Sequence, residues 1–209
     1  MNIIERLQWR YATKKFDENA RLSPKKLEIL TKAFNLTATS YGLQPLKLIV
    51  VNNKEKQAEL LPHAFHQRQV VDASHLLVIC IERKTRADEI EEYFNRVKEI
   101  RDTPEQILAP FRKDLINRFE GLGENEIQEW ARNQAYLALG NLMTVCAVEE
   151  IDSCPMEGFK ADELDKILKL DELGLSSVLL LPVGYRAKDD VFAGFKKVRK
   201  EEEDSVMFL

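Results

Sequence analysis

The sequence predicts an α+β fold, a sandwich of helices packed on a mixed central sheet, and three apolar segments support this prediction. They are LKLIVVN at 46–52, HLLVICIE at 75–82 and SVLLLPVGY at 177–185. Apolar runs of this length between turn residues are typical of buried strands. The order strand, helix, strand, long helices, strand favours helices that cover one sheet. Since no change of composition marks a linker in the 209 residues, we expect a single domain over 1–209.

The first part of the chain contains two predicted helices separated by a loop and a strand. Ser23 is a suitable N-cap and Pro24 a suitable first helical residue, so we expect a helix from Pro24 to about Leu36. The next segment, TATSYGLQP, is small, polar and interrupted by glycine and proline, which is typical of a loop. A shorter helix over 54–64 is expected between the first two strands.

The second part of the chain is predicted to be mainly helical. Residues 85–120 are charged and interrupted by Pro104 and Pro110, which favours a helical excursion that stands off the core. A long helix is expected over 124–151. Its second half, AYLALGNLMTVCAV, is apolar all round, as in a helix at the centre of a core or at a dimer interface. Gly140 in this half would allow another backbone to approach closely.

The overall composition argues against several classes of protein. Apolar residues make up 44% of the chain and charged residues 32%, as in ordinary globular proteins. The net charge of -4 argues against a general nucleic-acid binder, which needs a strongly basic face. No apolar run approaches the roughly 18 to 20 residues that span a bilayer, and MNIIERLQWR lacks the features of a signal peptide. We therefore expect a cytoplasmic protein that is not embedded in a membrane.

The three cysteines are predicted to be packing residues. Cys80, Cys146 and Cys154 are odd in number and show neither a CxxC motif nor a His-paired spacing. This pattern argues against a disulfide framework and against a metal site. Small apolar surroundings favour burial in the core.

Two basic clusters lie near opposite ends of the chain. RYATKKFD contains Arg10 and Lys14, whose spacing of four would bring both cations to one side of a helix or tight turn. KKVRK occupies 196–200. Each cluster alone also fits a solvated surface. Together, the two clusters could hold one dianion.

The segment CPMEGF follows the long apolar helix and allows two interpretations. Glu157 and Gly158 could form a turn and nothing more. Alternatively, Gly158 would let a backbone N–H approach a flat ligand closely, with Glu157 beside it.

Six segments occur in the order and spacing of one known family. They are RYATKKFD, a polar loop that ends in QP before a strand, DASHLLVIC, CPMEGF, LLLPVGYR and KKVRK. In this arrangement essentially the whole chain resembles the FMN-dependent nitroreductase family. The likeness is greatest to the branch of oxygen-insensitive NAD(P)H nitroreductases and dihydropteridine reductases. No segment is very specific alone, but six in this order are.

The resemblance implies a nitroreductase-like sandwich and an intertwined homodimer, with two FMN molecules at the subunit interface. It implies that NADH or NADPH reduces the flavin at N5, and that flat, electron-poor acceptors such as nitroaromatics or quinones then take the electrons in a ping-pong reaction. Since the flavin carries the bond chemistry, neither a catalytic side chain nor a metal ion is expected. The excursion, about 85–120, would cover the site, and the C-terminal segment, about 190–209, would pack on the partner chain.

The resemblance also assigns residues to the flavin phosphate and ribityl chain. These residues are Arg10, Tyr11, Ala12, Lys197 and Arg199. Family members often have His-Ser where this sequence has Tyr11 and Ala12. A hydroxyl contact is therefore expected to be lost, while the charge of Arg10 remains.

A second implied group surrounds the flavin ring. Lys14 would lie near the pyrimidine edge, where a cation stabilises the reduced state and raises the potential. Glu157 and Gly158 would flank the ring, with the Gly158 N–H facing N5. The other implied contacts are the loop residues that reach the partner's flavin, Ala38, Thr39 and Ser40, and two lid aromatics near the substrate, Phe111 and Phe119. Ordinary helix packing explains the two aromatic rings equally well.

One segment departs from the family pattern. His66 and Gln69 occupy positions where family members often have Asn and Lys near the flavin and the nicotinamide. Because the second cation is missing, we expect a lower flavin potential or weaker NAD(P)H binding. His66 also fits a partly exposed loop histidine.

Two other functions stay open on the sequence alone. A protein of the same superfamily could catalyse another flavin reaction, such as reductive dehalogenation or flavin breakdown, although the extra lid or C-terminal segments usual in those branches are not identifiable. A non-catalytic protein could instead use KKVRK to bind nucleic acid or an anionic partner.

Overall fold

The structure, a computed structural model, describes residues 2–209. Its strands are β1 Leu46–Val51, β2 His75–Glu82, β3 Asp152–Ser153 and β4 Leu175–Gly184. They form one sheet in the order β1-β2-β4-β3, and the pairings between these strands are antiparallel. The α+β class is thereby confirmed. Within residues 2–209, the parallel part of the expected mixed sheet is limited to a bridge between Ala12 and Ser153.

The helices of the described residues surround this sheet. They are α1 Ile3–Trp9, α2 Pro24–Asn35, α3 Lys54–Leu60, α4 Gln69–Asp72, α5 Ala87–Arg101, α6 Glu105–Glu120, α7 Glu124–Val148, α8 Ala161–Leu168 and α9 Glu202–Ser205. Short 3₁₀ turns occupy Ser40–Gly42, Leu61–Ala64, Asp171–Leu173 and Val191–Gly194.

Strand β2 lies inside the sheet because it is apolar on both faces. Leu76 and Val78 point into a buried cluster shared with α3 and α8. Leu77 and Ile79 alternate with them and point into a second cluster, shared with α2 and α7. The sheet is therefore covered by helices on both faces, as the continuous apolar run predicts.

The predicted helix boundaries agree with the observed ones where a capping signal exists. The Ser23 side chain accepts from Lys26 N–H, and α2 ends at Asn35, one residue before the predicted end. The helix expected over 54–64 becomes α3 followed by a 3₁₀ turn. Pro62 lies in this turn and has no N–H for an α-helical hydrogen bond, which accounts for the change.

The charged segment at 85–120 folds into the antiparallel pair α5 and α6. Pro104 is the N-cap of α6 and separates the two helices, as expected. Pro110 lies inside α6 and does not end it. The two helices and the start of α7 share their own buried cluster, in which Phe94 and Phe119 are the largest side chains.

The long helix α7 buries one side against the sheet and exposes the other. Ala135 and Leu142 are among its buried residues, whereas Tyr136 and Leu137 are exposed. A Cβ added at Gly140 would meet no heavy atom within 4 Å. Within one chain, the apolar second half of α7 is therefore only partly covered.

Among residues 2–209, no helix combines the length and the apolar character needed to cross a bilayer. All three cysteines are free and buried, as predicted. Burial raises the pKa of Cys80 and of Cys146 to about 12, so both thiols stay protonated at neutral pH.

Candidate functional site

The N-terminal basic segment follows α1 and lies against β3. Ala12 forms its bridge with Ser153, and the Thr13 N–H donates to the Ser153 carbonyl (3.2 Å). The Tyr11 hydroxyl donates to Asp190 (2.8 Å). These contacts fix the backbone of RYATKKFD, and with it the position of both predicted anion-binding side chains.

Cations from both ends of the chain meet next to this segment. Lys197 Nζ donates to the carbonyl of Arg10. Burial and the charge of Arg199 lower the pKa of Arg10, and burial, Arg10 and Arg199 lower the pKa of Lys197. Within residues 2–209, no carboxylate lies within 4.0 Å of the charged nitrogens of these three side chains. Three close cations without an acidic partner form a site that an anion would stabilise.

A buried donor without an acceptor at Arg10 also indicates that the site is incomplete. Its Nε is buried and has no hydrogen-bond partner among the described residues. Buried N–H groups of guanidinium side chains are nearly always paired, because an unpaired one loses its hydration without compensation. An oxyanion beside Arg10 would supply the missing acceptor.

Lys14 lies beside the segment CPMEGF. Its Nζ is 3.9 Å from Cys154 Sγ. Burial raises the pKa of Cys154, while Lys14, Arg10 and Gln69 act in the opposite direction. Gln69 is 7% exposed. The predicted residues Arg10, Lys14 and Gln69 therefore surround one buried thiol.

Glu157 and Gly158 follow Cys154 in the chain, and each is hydrogen-bonded to a different part of the molecule. The Tyr136 hydroxyl of α7 donates to Glu157 (2.8 Å). The Gln67 amide donates to the Gly158 carbonyl (2.9 Å), and a Cβ added at Gly158 would lie 3.7 Å from the ring of Phe65. Within residues 2–209, the Gly158 N–H makes no hydrogen bond. The glycine thus presents a free N–H beside an exposed aromatic ring.

His66 lies in the exposed turn that precedes α4. It has a positive φ of 56°, and so has Phe65, with 52°. Two adjacent non-glycine residues in the left-handed region are uncommon and cost conformational energy. His66 is thus an exposed turn residue, whereas Gln69 is buried beside Cys154.

The predicted loop residues make their hydrogen bonds to α7 and within their own loop. The Ser40 N–H donates to Gln134 of α7 (2.8 Å), and Thr39 Oγ1 accepts from Gln44 N–H (3.1 Å). In the part of the chain that the structure describes, no hydrogen bond links Ala38, Thr39 or Ser40 to the cations.

The two lid candidates differ in exposure. Phe119 is 3% exposed and packs edge-to-face on Trp130, with 5.0 Å between ring centroids. Phe111 is 49% exposed and contacts Phe94 at one edge. The ring of Phe119 is thus packed against α7. Of the two residues, Phe111 alone is exposed enough to contact an acceptor.

Comparison with known proteins places the chain in a family. The sequence model of the Nitroreductase family matches residues 7–185. The chain belongs to the nitroreductase family. The family resemblance of the six segments is thereby confirmed. A relative from Bacillus subtilis (strain 168), provisionally named NAD(P)H nitroreductase YfkO, is 32% identical over 99% of this chain and 97% of its own length. One from Staphylococcus haemolyticus, with the same kind of name, is 30% identical over 99% and 97%.

Solved nitroreductase structures share the fold. A crystal structure of the Bacillus subtilis protein ydfN superposes with a TM-score of 0.88 at 20% identity, covering 99% of this chain and 98% of the other. A nitroreductase-family structure from Exiguobacterium sibiricum, in complex with FMN, gives 0.87 at 21% identity, covering 100% and 98%. The expected nitroreductase-like sandwich is therefore confirmed.

Three charged residues that hold the segments of the candidate site in place were not singled out from the sequence. Arg186 donates to Asp152 (2.7 Å), and its guanidinium lies over the rings of Trp9 (4.3 Å) and Tyr11 (4.7 Å). Asp190 is the third, as the acceptor of the Tyr11 hydroxyl. Arg186 and Asp152 are 34 residues apart in the chain, and Asp190 and Tyr11 are 179 residues apart. No local sequence pattern therefore identifies these pairs.

Proposed function

We propose that this nitroreductase is an FMN-dependent NAD(P)H oxidoreductase that reduces flat, electron-poor acceptors such as nitroaromatics and quinones. One observation carries the proposal. Arg10, Lys197 and Arg199 converge from opposite ends of the chain, and no carboxylate in residues 2–209 pairs with them. Such a site suits the dianionic phosphate of FMN, which guanidinium groups can bind through paired, charge-assisted hydrogen bonds.

The other residues fit the flavin as well. The unpaired Arg10 Nε offers a donor to a phosphate oxygen, and the free Gly158 N–H offers one to the ring. Lys14, beside Cys154, would supply a further cation. A solved relative from Staphylococcus epidermidis is described as an NAD(P)H:FMN oxidoreductase, and the Exiguobacterium sibiricum structure holds FMN.

FMN, when bound, supplies the two-electron chemistry that connects NAD(P)H with the acceptor. The chain supplies position and charge. Tyr136 donates to Glu157 and Gln67 donates to the Gly158 carbonyl, so these two residues would be held in place beside a bound flavin ring. Lys14 would favour negative charge on the reduced flavin, and Phe111 would offer an exposed aromatic face to a flat acceptor. Donor and acceptor would bind in turn at the same place, which gives ping-pong kinetics.

The proposed enzyme is a homodimer. The exposed apolar side of α7 and the exposed C-terminal residues 206–209 are surfaces that monomeric proteins rarely leave uncovered. A partner chain packed on α7 would also bring its loop of Ala38, Thr39 and Ser40 to the flavin site, as the family resemblance implies. The dimer would thereby complete the site.

The first experiment is to incubate the purified protein with FMN, remove free ligand and record the absorbance spectrum. We expect flavin bands that bleach when NADH or NADPH is added without oxygen, and that return when a quinone or a nitroaromatic is added. A protein that retains no FMN would contradict the proposal. Electron transfer to a halogenated phenol, without transfer to a quinone or a nitroaromatic, would favour reductive dehalogenation instead.

A pair of variants tests the phosphate site directly. Lys197→Ala combined with Arg199→Ala should lose most FMN binding. Lys196→Ala combined with Lys200→Ala removes the same amount of charge from the same exposed segment and serves as the control. Equal loss in both variants would show that only net charge matters.

A further inference from the structure

Asp190 connects the two ends of the chain that carry the cations. We propose that Asp190 is a positioning residue that builds the anion site, by fixing the N-terminal segment of Arg10 and Lys14 to the C-terminal segment of Lys197 and Arg199. The inference rests on the proposed function, since it concerns the affinity of this site for the phosphate of FMN.

The contacts of the Asp190 carboxylate extend to both segments. Its Oδ2 accepts from the Tyr11 hydroxyl (2.8 Å), from Lys14 N–H (3.0 Å) and from Lys15 N–H (3.1 Å). Its Oδ1 accepts from Phe192 N–H (3.1 Å). This hydrogen bond caps the start of the 3₁₀ turn at Val191–Gly194. This turn leads directly into the segment with Lys197 and Arg199. One side chain thus determines the path of the chain on both sides of the site.

Asp190 supports the cations without neutralising them. It is 6% exposed. Among residues 2–209, no ion pair within 4.0 Å joins it to Arg10, Lys14, Lys197 or Arg199. Its acceptors are used by backbone N–H groups and one phenol instead. The cations therefore remain available for a bound anion. The hydrogen bonds of Asp190 hold the two segments together against the mutual repulsion of these cations.

The bonding pattern requires an ionised carboxylate. Burial acts to raise the pKa of Asp190, but the hydrogen bonds from Tyr11, Lys15, Phe192 and Lys14 outweigh it and the pKa is lowered. All four contacts are donated to Asp190. An amide at this position could not accept them all, because its nitrogen is a donor.

Tyr11 has a related role. Its hydroxyl donates to Asp190, and its ring lies under the guanidinium of Arg186. The hydroxyl therefore joins the N-terminal segment to Asp190, which leads into the C-terminal segment.

The test compares FMN with riboflavin, which has the same ring but no phosphate. Dissociation constants are measured by quenching of flavin fluorescence for the wild type, Asp190→Asn, Tyr11→Phe and Asp189→Asn. Asp189 is the neighbouring carboxylate. It is exposed and, within residues 2–209, forms one ion pair, with Lys15, so Asp189→Asn is the matched control. The ratio of the riboflavin constant to the FMN constant reports the phosphate site alone.

We expect Asp190→Asn to weaken FMN binding about 10-fold or more, the loss typical of a broken charge-assisted contact, and to change riboflavin binding less than about 3-fold. Tyr11→Phe should shift the ratio in the same direction by a smaller factor, and Asp189→Asn should leave it unchanged. An unchanged ratio in Asp190→Asn, or an equal loss for both flavins, would overturn the inference. If Asp190→Asn does not fold, an unchanged ratio in Tyr11→Phe overturns it. A wild type that binds no FMN would refute the proposed function itself.

Discussion

At the scale of single residues, Gln69 is a neutral amide beside the buried thiol of Cys154. Gln69 and Lys14 both act to lower the pKa of that thiol. A second cation at this point should stabilise reduced flavin. We expect Gln69→Lys to raise the midpoint potential by roughly 20 to 60 mV, which corresponds to about 1 to 3 kcal/mol for a two-electron couple. A spectroelectrochemical titration measures it.

The control for this prediction is Gln128→Lys, which adds the same charge at a partly exposed position near the start of α7. Its potential should equal that of the wild type. A Gln69→Lys variant with an unchanged potential would remove the idea that the missing cation lowers the potential.

His75, at the first position of β2, is a buried strand residue and not a catalytic base. Its Nδ1 lies 2.9 Å from Ser74 Oγ, which also accepts from Leu22 N–H. Burial lowers the pKa of His75 from its ordinary value of 6.5, and the nearby cations Arg21 and Lys54 add to the effect. A lowered pKa means that the folded state prefers neutral imidazole. The resulting stability is fully present above pH 6.5 and is lost as the pH falls through the folded value.

The free energy of unfolding should therefore decrease more between about pH 7.5 and about pH 5.5 in the wild type than in His75→Asn, whose amide oxygen can still accept from Ser74. Urea denaturation at both pH values measures the difference. Other groups titrate equally in the two proteins, so an identical decrease would show that His75 makes no contribution.

At the scale of elements, the loop between α2 and β1 has backbone angles that cost conformational energy for non-glycine residues. Tyr41 and Gln44 have positive φ angles, of 59° and 48°. Gly42 has a φ of 76°, and a Cβ added there would lie 2.7 Å from the hydroxyl oxygen of Tyr93 in α5. Gly42 is therefore required both by its backbone angle and by the close approach of the excursion.

Gly42→Ala should destabilise the protein by about 1 to 3 kcal/mol, because it adds strain and a clash. Gly194→Ala is the control, since a Cβ added at Gly194 meets no atom within 4 Å. Urea denaturation compares both with the wild type. Equal stability of Gly42→Ala and the wild type would mean that Tyr93 moves away without cost.

At the scale of the whole molecule, the exposed apolar side of α7 is the surface that a partner chain covers in the proposed dimer. Leu137 is 54% exposed on that helix. In the proposed dimer, Leu137→Glu would bury a charge at the interface, so we expect a shift from dimer to monomer and a loss of bound FMN. Sedimentation velocity measures the mass of the particle.

Leu173→Glu makes the same change at a residue of similar exposure in the 3₁₀ turn before β4, and should leave the dimer intact. A wild type that sediments as a monomer while holding FMN would contradict the dimeric site.

The strands and the long helices follow from the sequence because each has a local signal of its own. HLLVICIE is apolar on both faces and becomes β2, and Ser23 with Pro24 sets the start of α2. Elements without such a signal are not predictable. β3 has two residues and α4 four, which is too short for a periodic pattern. Pro110 inside α6 shows that packing can override a local helix breaker.

The sequence by itself predicted the cations of the candidate site, since RYATKKFD and KKVRK are distinct in composition and family order. Only the tertiary structure decided how they meet. It joins Asp190 to Tyr11 across 179 residues, sets Cys154 beside Lys14, and turns Phe119 into the interior of the excursion. The reason is physical. Periodicity and capping act between neighbours in the chain, whereas hydrogen bonds and charge pairs depend on distances that exist only after the sheet and its helices have packed.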